Sequence, residues 1–127
     1  MKTRFVKFSD STAAECRHSE YVAELFSDWE IIWDESRCDY QGTVRFLAHK
    51  DGKFAYLEYS YGSCGGCDSW EGMAEDEVRA DFKRMAEHFD NVVELQKFAN
   101  QVNYGKDFEK AVYDYAFHEQ LEKKLME

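Results

Sequence analysis

The chain has 127 residues, a formal net charge of −10, no proline, and ten Phe, eight Tyr and three Trp residues. Its longest uninterrupted apolar run is residues 54–57, so we expect neither a membrane span nor a secretory signal. The acidity argues against direct binding of nucleic acid, because Lys and Arg supply most of that affinity. The many aromatic residues argue against disorder. We therefore expect a single domain over 1–127, in the cytoplasm.

The N-terminal part of the chain predicts a strand, a helix and a second strand. Residues 1–8 alternate loosely and are compatible with a short edge strand. Apolar positions at helical spacing then predict a helix at about 11–27. Alternation over 29–35 predicts a strand. That strand places three apolar residues on one side: Trp29, Ile31 and Trp33.

The middle of the chain holds the clearest local signal. Two alternating segments, 43–50 and 53–61, flank the dipeptide Asp51-Gly52. Asp-Gly supplies the positive φ that a type I′ hairpin turn requires. Together with the strand at 29–35, these segments predict a three-stranded antiparallel meander.

The C-terminal half predicts a loop followed by helices. Four glycines within 62–72 predict the loop. Apolar residues spaced by three and four then predict helices over 74–89, 92–102 and 108–121. The expected fold is α+β, with the three-stranded meander packed by an N-terminal helix and two or three C-terminal helices.

A Cys-x-x-Cys pair, Cys64 and Cys67, lies in the glycine-rich loop. Two thiolates at this spacing can chelate one Zn²⁺, and the glycines between them let the backbone turn around the metal. Zinc takes four ligands, and the chain has no second Cys-x-x-Cys. The candidate further ligands are Cys16, His18, Cys38 and His49. A glycine loop with free or bridged thiols explains the pair equally, so we expect no cofactor and keep zinc as the alternative.

A redox role is the competing interpretation of the same pair, because a strand precedes Cys64 and a helix follows the loop. Thioredoxin-like folds need further strands and a cis-proline beside the disulfide, and this chain has no proline. The four histidines form no catalytic motif, so we assign no catalytic residue. Cys16 and Cys38 stand alone in the sequence, and a chain of this length does not need them to bridge.

Acidic side chains cluster around the strand at 29–35 and just after the cysteine loop. Carboxylates at a helix start are stabilised by the helix dipole and keep the protein soluble. They can equally form a surface for a basic partner, such as a nucleic-acid-binding enzyme whose DNA or RNA they imitate. Tyr and Trp beside them suit a binding surface but also fill cores. The residues predicted to bind a protein are Tyr59, Tyr61, Asp68, Trp70, Glu71, Glu75, Asp76 and Glu77.

Residues 29–71 also carry short motifs: Trp29-Glu30, Asp39-Tyr40-Gln41-Gly42, Asp51-Gly52-Lys53 and the run from Tyr59 to Glu71. This segment resembles a group of small uncharacterised proteins of bacteriophages and some bacteria, with the pattern W-E…D-Y-Q-G…D-G-K…Y-G-S-C-x-x-C-D-x-W-E. The resemblance implies a phage-type accessory protein inside a bacterial host, and it assigns no activity or functional residue.

From these observations we predict a non-enzymatic, acidic protein that binds and modulates a host or defence protein. The first alternative is a zinc-stabilised binding module that uses Cys64 and Cys67. The second alternative is a thiol-dependent redox enzyme.

Overall fold

The computed structural model describes residues 6–39, 41–62, 70 and 72–126. In this part of the chain, five antiparallel strands form one sheet whose spatial order is the chain order. The strands are β1 (Val6–Lys7), β2 (Glu30–Asp34), β3 (Gly42–Lys50), β4 (Lys53–Tyr61) and β5 (Glu87–Phe89). The fold is α+β, but the prediction of a three-stranded meander is wrong. The three central strands lie where the sequence places them, and each side of the sheet gains an edge strand.

The two edge strands are too short to carry a clear alternation of their own. The two residues of β1 pair with Glu30 and Ile31. The three residues of β5 pair with Phe54, Ala55 and Tyr56, in a segment that the sequence predicts to be helical. β1 falls within residues 1–8, where the sequence is compatible with a short edge strand. The conformation of β5 follows from backbone pairing with β4, which a local apolar pattern does not reveal.

The β3–β4 hairpin is confirmed. Asp51 and Gly52 both have positive φ, at 52° and 80°, and Lys50 pairs with Lys53 across the two-residue turn. This is the backbone geometry for which Asp-Gly is favoured in hairpins. The two strands have nine residues each and form the centre of the sheet.

Within the described ranges, four helices cover the two faces of the sheet: α1 (Ser19–Phe26), α2 (Glu75–Met85), α3 (Val92–Gln101) and α4 (Lys106–Met126). Alternation along β3 and β4 divides their apolar side chains between the faces. The first core, around Phe26, Phe46 and Phe82, lies under α1 and α2. The second core, around Tyr56 and Phe108, lies under α3 and α4. No helix in the described ranges is long and apolar enough to cross a bilayer.

A β-bulge in β2 separates two apolar residues that were predicted to share a face. Ile31 pairs with Ala48 and Trp33 with Leu47, so β2 has one extra residue between these pairs. Ile31 therefore belongs to the first core and Trp33 to the second. An extra residue reverses the side-chain alternation beyond it, which is why the prediction of a common face is wrong.

The predicted helix at about 11–27 is also wrong at its start. Two 3-10 turns, Phe8–Asp10 and Thr12–Glu15, come before α1. His18, the residue before α1, has a left-handed φ of 71°, a conformation that interrupts a right-handed helix. The apolar spacing continues across this break, and so it predicted one helix where the chain turns.

Candidate protein-binding surface

A shallow groove of about 340 Å³ lies beside α1. The buried ring of Phe8 forms part of its wall. Three small side chains spaced by four residues line it: Ser19 and Ala23 of α1, and Ser27 directly after the helix. Residues at this spacing lie on one helix face, so the small side chains keep the groove open along the helix. Glu20 also lines the groove and adds a carboxylate to it.

Exposed carboxylates accompany this groove and continue onto the start of α2. We call this set the acidic face: Asp10, Glu15, Glu20, Glu24, Glu75, Asp76 and Glu77. Ser9 and Ala14 also line the groove, and Asp10 and Glu15 directly follow them in the chain. α1 contacts α2, so the acidic residues of the two helices are neighbours. The last three members were predicted as binding residues, and they lie exposed in the first turn of α2, where the helix dipole favours them.

Arg79 connects the two helices of the acidic face. Its Nε lies 3.0 Å from Oε2 of Glu24, and its Nη1 lies 3.5 Å from Glu75 and 3.7 Å from Asp76. The hydrogen bond to Glu24 raises the pKa of Arg79. One guanidinium is thus shared among three carboxylates, and the face keeps an excess of negative charge.

The acidic residues around β2 make hydrogen bonds within the molecule. Asp34 accepts hydrogen bonds from the backbone N–H groups of Ala13 at 3.2 Å and Ser36 at 2.9 Å. Lys50 donates to Asp28, and this hydrogen bond lowers the pKa of Asp28. Asp34 therefore holds the second 3-10 turn, Thr12–Glu15, and Asp28 joins the segment before β2 to the end of β3.

The three aromatic residues predicted to bind a protein are buried. The exposed fractions of Tyr59, Tyr61 and Trp70 are 4%, 7% and 7%. Trp70 stacks on Phe82 with ring centroids 4.7 Å apart, and its Nε1–H donates to Oδ2 of Asp81 at 3.1 Å. In this arrangement they fill the first core, and a role for them in binding stays a prediction.

Tyr61 also closes the end of the β3–β4 pair. It lies directly over Gly42, where a Cβ atom would overlap the phenol ring. Its hydroxyl donates to the backbone carbonyl of Asp39 at 3.2 Å. The guanidinium of Arg17 lies 5.2 Å from the ring centroid and donates to the carbonyl of Gly62 at 2.8 Å. A glycine is therefore required at position 42 for this close approach.

Four of the residues predicted as ligands or binding residues lie outside the described residues: Cys64, Cys67, Asp68 and Glu71. The zinc and redox interpretations of the cysteine pair, and the binding roles of the two acidic residues, stay predictions.

The four candidate further zinc ligands do not come together. Cys16 and Cys38 form a disulfide with Cα atoms 4.7 Å apart, and metal binding requires the free thiolate. The sequence did not require these two cysteines to bridge, and in the structure they do. His18 packs against the first core, whereas His49 contacts Tyr115 on the opposite face of the sheet. Among the residues that the structure describes, no three His, Cys, Asp or Glu side chains are grouped to hold a metal.

His49 instead joins α4 to the β3–β4 turn. Its Nε2 accepts the backbone N–H of Gly52 at 3.0 Å and lies 2.7 Å from the hydroxyl of Tyr115. An Nε2 atom that accepts a hydrogen bond carries no proton. We therefore assign the Tyr115 hydroxyl as the donor to Nε2, and we place the ring proton on Nδ1. Burial lowers the pKa of His49, although Glu30, 3.9 Å away, opposes the shift. The ring is therefore held neutral.

A second feature that the sequence did not predict is an arginine among aromatic rings on the second face. The guanidinium of Arg45 lies 4.7 Å from the ring centroid of Tyr104 and 5.5 Å from that of Trp33.

Tyr56, on the same face, is a protonated phenol. Its hydroxyl donates to Glu58 at 2.6 Å. Burial, and then this hydrogen bond, raise the pKa of Tyr56. The phenol therefore stays protonated, which suits packing and hydrogen bonding rather than nucleophilic chemistry.

Comparison of the chain with protein-family models, with curated proteins and with solved structures finds no match. The resemblance of residues 29–71 to phage and bacterial proteins stays a prediction. The function is therefore argued from the surface, where the groove and the acidic face provide shape and charge together.

Proposed function

We propose that the chain is a small acidic protein that binds and modulates a basic protein, without catalysing a reaction. The observation that carries the proposal is the acidic face beside the α1 groove. Three of its carboxylates already share Arg79, and the whole chain has a formal charge of −10. Lys or Arg side chains from a partner would relieve the repulsion among these carboxylates, which gives complementarity and faster association.

The groove supports the same proposal through its shape. Phe8, Ala14 and Ala23 offer an apolar lining, and Ser19 and Ser27 offer hydroxyl groups. Such a groove fits an apolar side chain and the hydrogen-bonding backbone around it. The complementary segment is therefore an apolar residue flanked by basic residues.

The partner class that we propose is a basic nucleic-acid-binding enzyme of a bacterial host. Such enzymes present Lys and Arg side chains to phosphates, and a carboxylate surface can occupy the same positions. A phage-type accessory role, a host or defence target and a location in the host cytoplasm rest on the resemblance of residues 29–71. We propose no direct binding to nucleic acid or to a membrane.

The test uses two variants with the same change in charge. Glu15→Lys/Glu20→Lys alters the acidic face. Glu87→Lys/Asp90→Lys, in and just after the edge strand β5 and outside the acidic face, is the matched control. Tagged wild type and both variants are used to capture proteins from bacterial lysate, at low salt and at about 1 M salt, where the screening length falls to about 3 Å.

We expect the wild type and the control to capture the same basic protein at low salt and to release it at high salt. The acidic-face variant should bind the purified partner at least about tenfold more weakly, which corresponds to loss of roughly 1.4 kcal/mol. Capture by the acidic-face variant at the wild-type level, or no capture by the wild type at low salt, would overturn the proposal.

A further inference from the structure

The segment before α1 adopts a conformation that its own sequence does not favour. Thr12–Glu15 forms a 3-10 turn, and His18 then has a left-handed φ of 71°, a conformation that few residues other than glycine adopt. α1 begins at Ser19, and no side-chain hydrogen bond caps its start. The helix therefore starts directly after a residue whose backbone interrupts a right-handed helix.

The residues of this segment carry the signals of a longer helix. Thr12-Ala13-Ala14-Glu15 matches the capping box, in which a Thr and a Glu three residues later cap the first turn of a helix. Alanine is the strongest helix former, and the helical spacing of apolar residues continues from Ala14 into α1. In the structure no side-chain hydrogen bond caps the 3-10 turn, so this signal is not used there. Local preference therefore favours one helix from Ala13 to Phe26.

The Cys16–Cys38 disulfide opposes that longer helix. A disulfide requires Cα atoms about 4.4–6.8 Å apart, and these two are 4.7 Å apart, so Cys16 has little freedom to move away from Cys38. A helical φ at His18 is about −63°, which requires a rotation of roughly 130° from the observed value. Cys16 lies two residues before this rotation and would be carried with it. The bridge therefore blocks the longer helix while α1 and the segment after β2 keep their places.

We propose that the Cys16–Cys38 disulfide is a redox switch of the segment before α1. The oxidised chain keeps the 3-10 turns, and reduction lets residues 13–18 join α1 as one helix. Ala14 and Ser19 line the α1 groove from the two sides of the break at His18, so a continuous helix removes the arrangement that forms the groove. The change of conformation stands on its own, whereas its effect on binding rests on the proposed function.

Cys38 is the sulfur that a reductant reaches first. Cys16 is 4% exposed, whereas Cys38 is partly exposed. A thiolate of a dithiol reductant attacks Sγ of Cys38, the bond between the two sulfurs breaks, and its electron pair leaves on Sγ of Cys16, which takes up a proton. The second thiol of the reductant then displaces Cys38 from the mixed disulfide. Two electrons and two protons thus pass to the chain, and the reductant becomes a disulfide.

The experiment measures backbone Cα chemical shifts of residues 12–18 by NMR, because these shifts distinguish helical from turned residues. The full chain is compared in its oxidised form and in an excess of a dithiol reductant. All proteins carry Cys64→Ser/Cys67→Ser, so that only the Cys16–Cys38 bridge responds. Circular dichroism with thermal unfolding checks that each protein folds.

Two substitutions of His18 form a matched pair in this background. Both remove the imidazole ring and differ only in one methyl group. Glycine adopts a positive φ as readily as a negative one, whereas alanine favours the helix. His18→Gly should therefore keep the turned conformation after reduction, and His18→Ala should give it up.

We expect the shifts of residues 13–18 to become helical on reduction in the background chain and in His18→Ala, but not in His18→Gly. Reduction should also weaken binding of the captured basic partner at least about tenfold in the first two proteins, and it should leave the affinity of His18→Gly unchanged.

Shifts that stay the same on reduction, or that become those of an unfolded segment, overturn the proposal. It is also overturned if His18→Gly becomes helical as readily as His18→Ala. Helical shifts with an unchanged dissociation constant support the change of conformation and overturn its control of binding. If the oxidised chain captures no partner, the proposed function fails, and the shifts alone decide whether the switch exists.

Discussion

Reduction of the Cys16–Cys38 disulfide should lower the free energy of unfolding by about 3 kcal/mol. The bridge joins residues 22 apart in sequence, and the loop-closure entropy for a loop of that length is worth about 3 kcal/mol at 25 °C. The loop contains α1 and β2, which both contribute to the first core. The loss should therefore appear in global unfolding, as a fall in melting temperature of roughly 10 °C.

The measurement is urea unfolding of the wild type with and without a phosphine reductant. Cys64 and Cys67 also respond to a reductant, so the matched control is Cys16→Ala/Cys38→Ser under the same two conditions. Peptide mapping after alkylation of the oxidised, native protein identifies which cysteines are bridged. We expect the reductant to destabilise the wild type and to leave the control unchanged.

Equal destabilisation of the wild type and the control would show that the reductant acts through other thiols. It would refute the claim that the Cys16–Cys38 bridge provides this part of the stability. Alkylation of Cys16 and Cys38 in the oxidised protein would refute the bridge itself. The outcome also bears on the proposed cytoplasmic location, because that compartment keeps most thiols reduced. Domains of this size have roughly 5–15 kcal/mol of stability, so a loss of about 3 kcal/mol leaves the reduced chain folded.

Three further predictions concern stability. Gly42→Ala should cost about 1–3 kcal/mol, because its methyl group displaces the ring of Tyr61; an unchanged urea midpoint would contradict this. Asn91→Ala should cost about 1 kcal/mol, since Asn91 accepts the backbone N–H of Glu94 at 3.0 Å and caps α3; Asn91→Asp, which keeps the acceptor, should not. Burial lowers the pKa of His49 in the folded state below the usual histidine value of about 6.5. The unfolded chain therefore binds the proton first, and unfolding free energy should fall as the pH drops below about 6.5. His49→Gln should remove that part of the pH dependence.

Sequence reasoning succeeded where the structure is determined by neighbours along the chain. Asp51-Gly52 specifies its turn through two positive φ angles, and the alternation on both sides sets the register of β3 and β4. The predicted helices over 92–102 and 108–121 correspond to α3 and α4 because their apolar spacing is long and regular.

Other features depend on residues that are distant in sequence, and local patterns do not contain them. The bulge at β2 exists because Trp33 packs in the second core with Phe108. The strand at Glu87–Phe89 exists because the edge of β4 is available for pairing. The Cys16–Cys38 bridge depends on how the 3-10 turns dock against the segment after β2, which no spacing rule specifies.

The candidate binding surface was predicted in part. The exposed carboxylates at the start of α2 were identified from their density in the sequence. The groove and the acidic residues of α1 were missed, because they become neighbours of α2 only after the chain breaks at His18. A signal was present, since Ser19, Ala23 and Ser27 repeat a small residue every four positions beside Glu20 and Glu24.

Salt should separate the contribution of the acidic face from that of the apolar groove. An increase from about 0.01 M to 0.15 M salt shortens the screening length from about 30 to 8 Å. Attraction between the acidic face and a basic partner should therefore weaken over this range, whereas contacts with the apolar lining formed by Phe8, Ala14 and Ala23 should not. If the affinity for the captured partner is the same at both salt concentrations, the carboxylates do not govern the contact and the groove alone accounts for it.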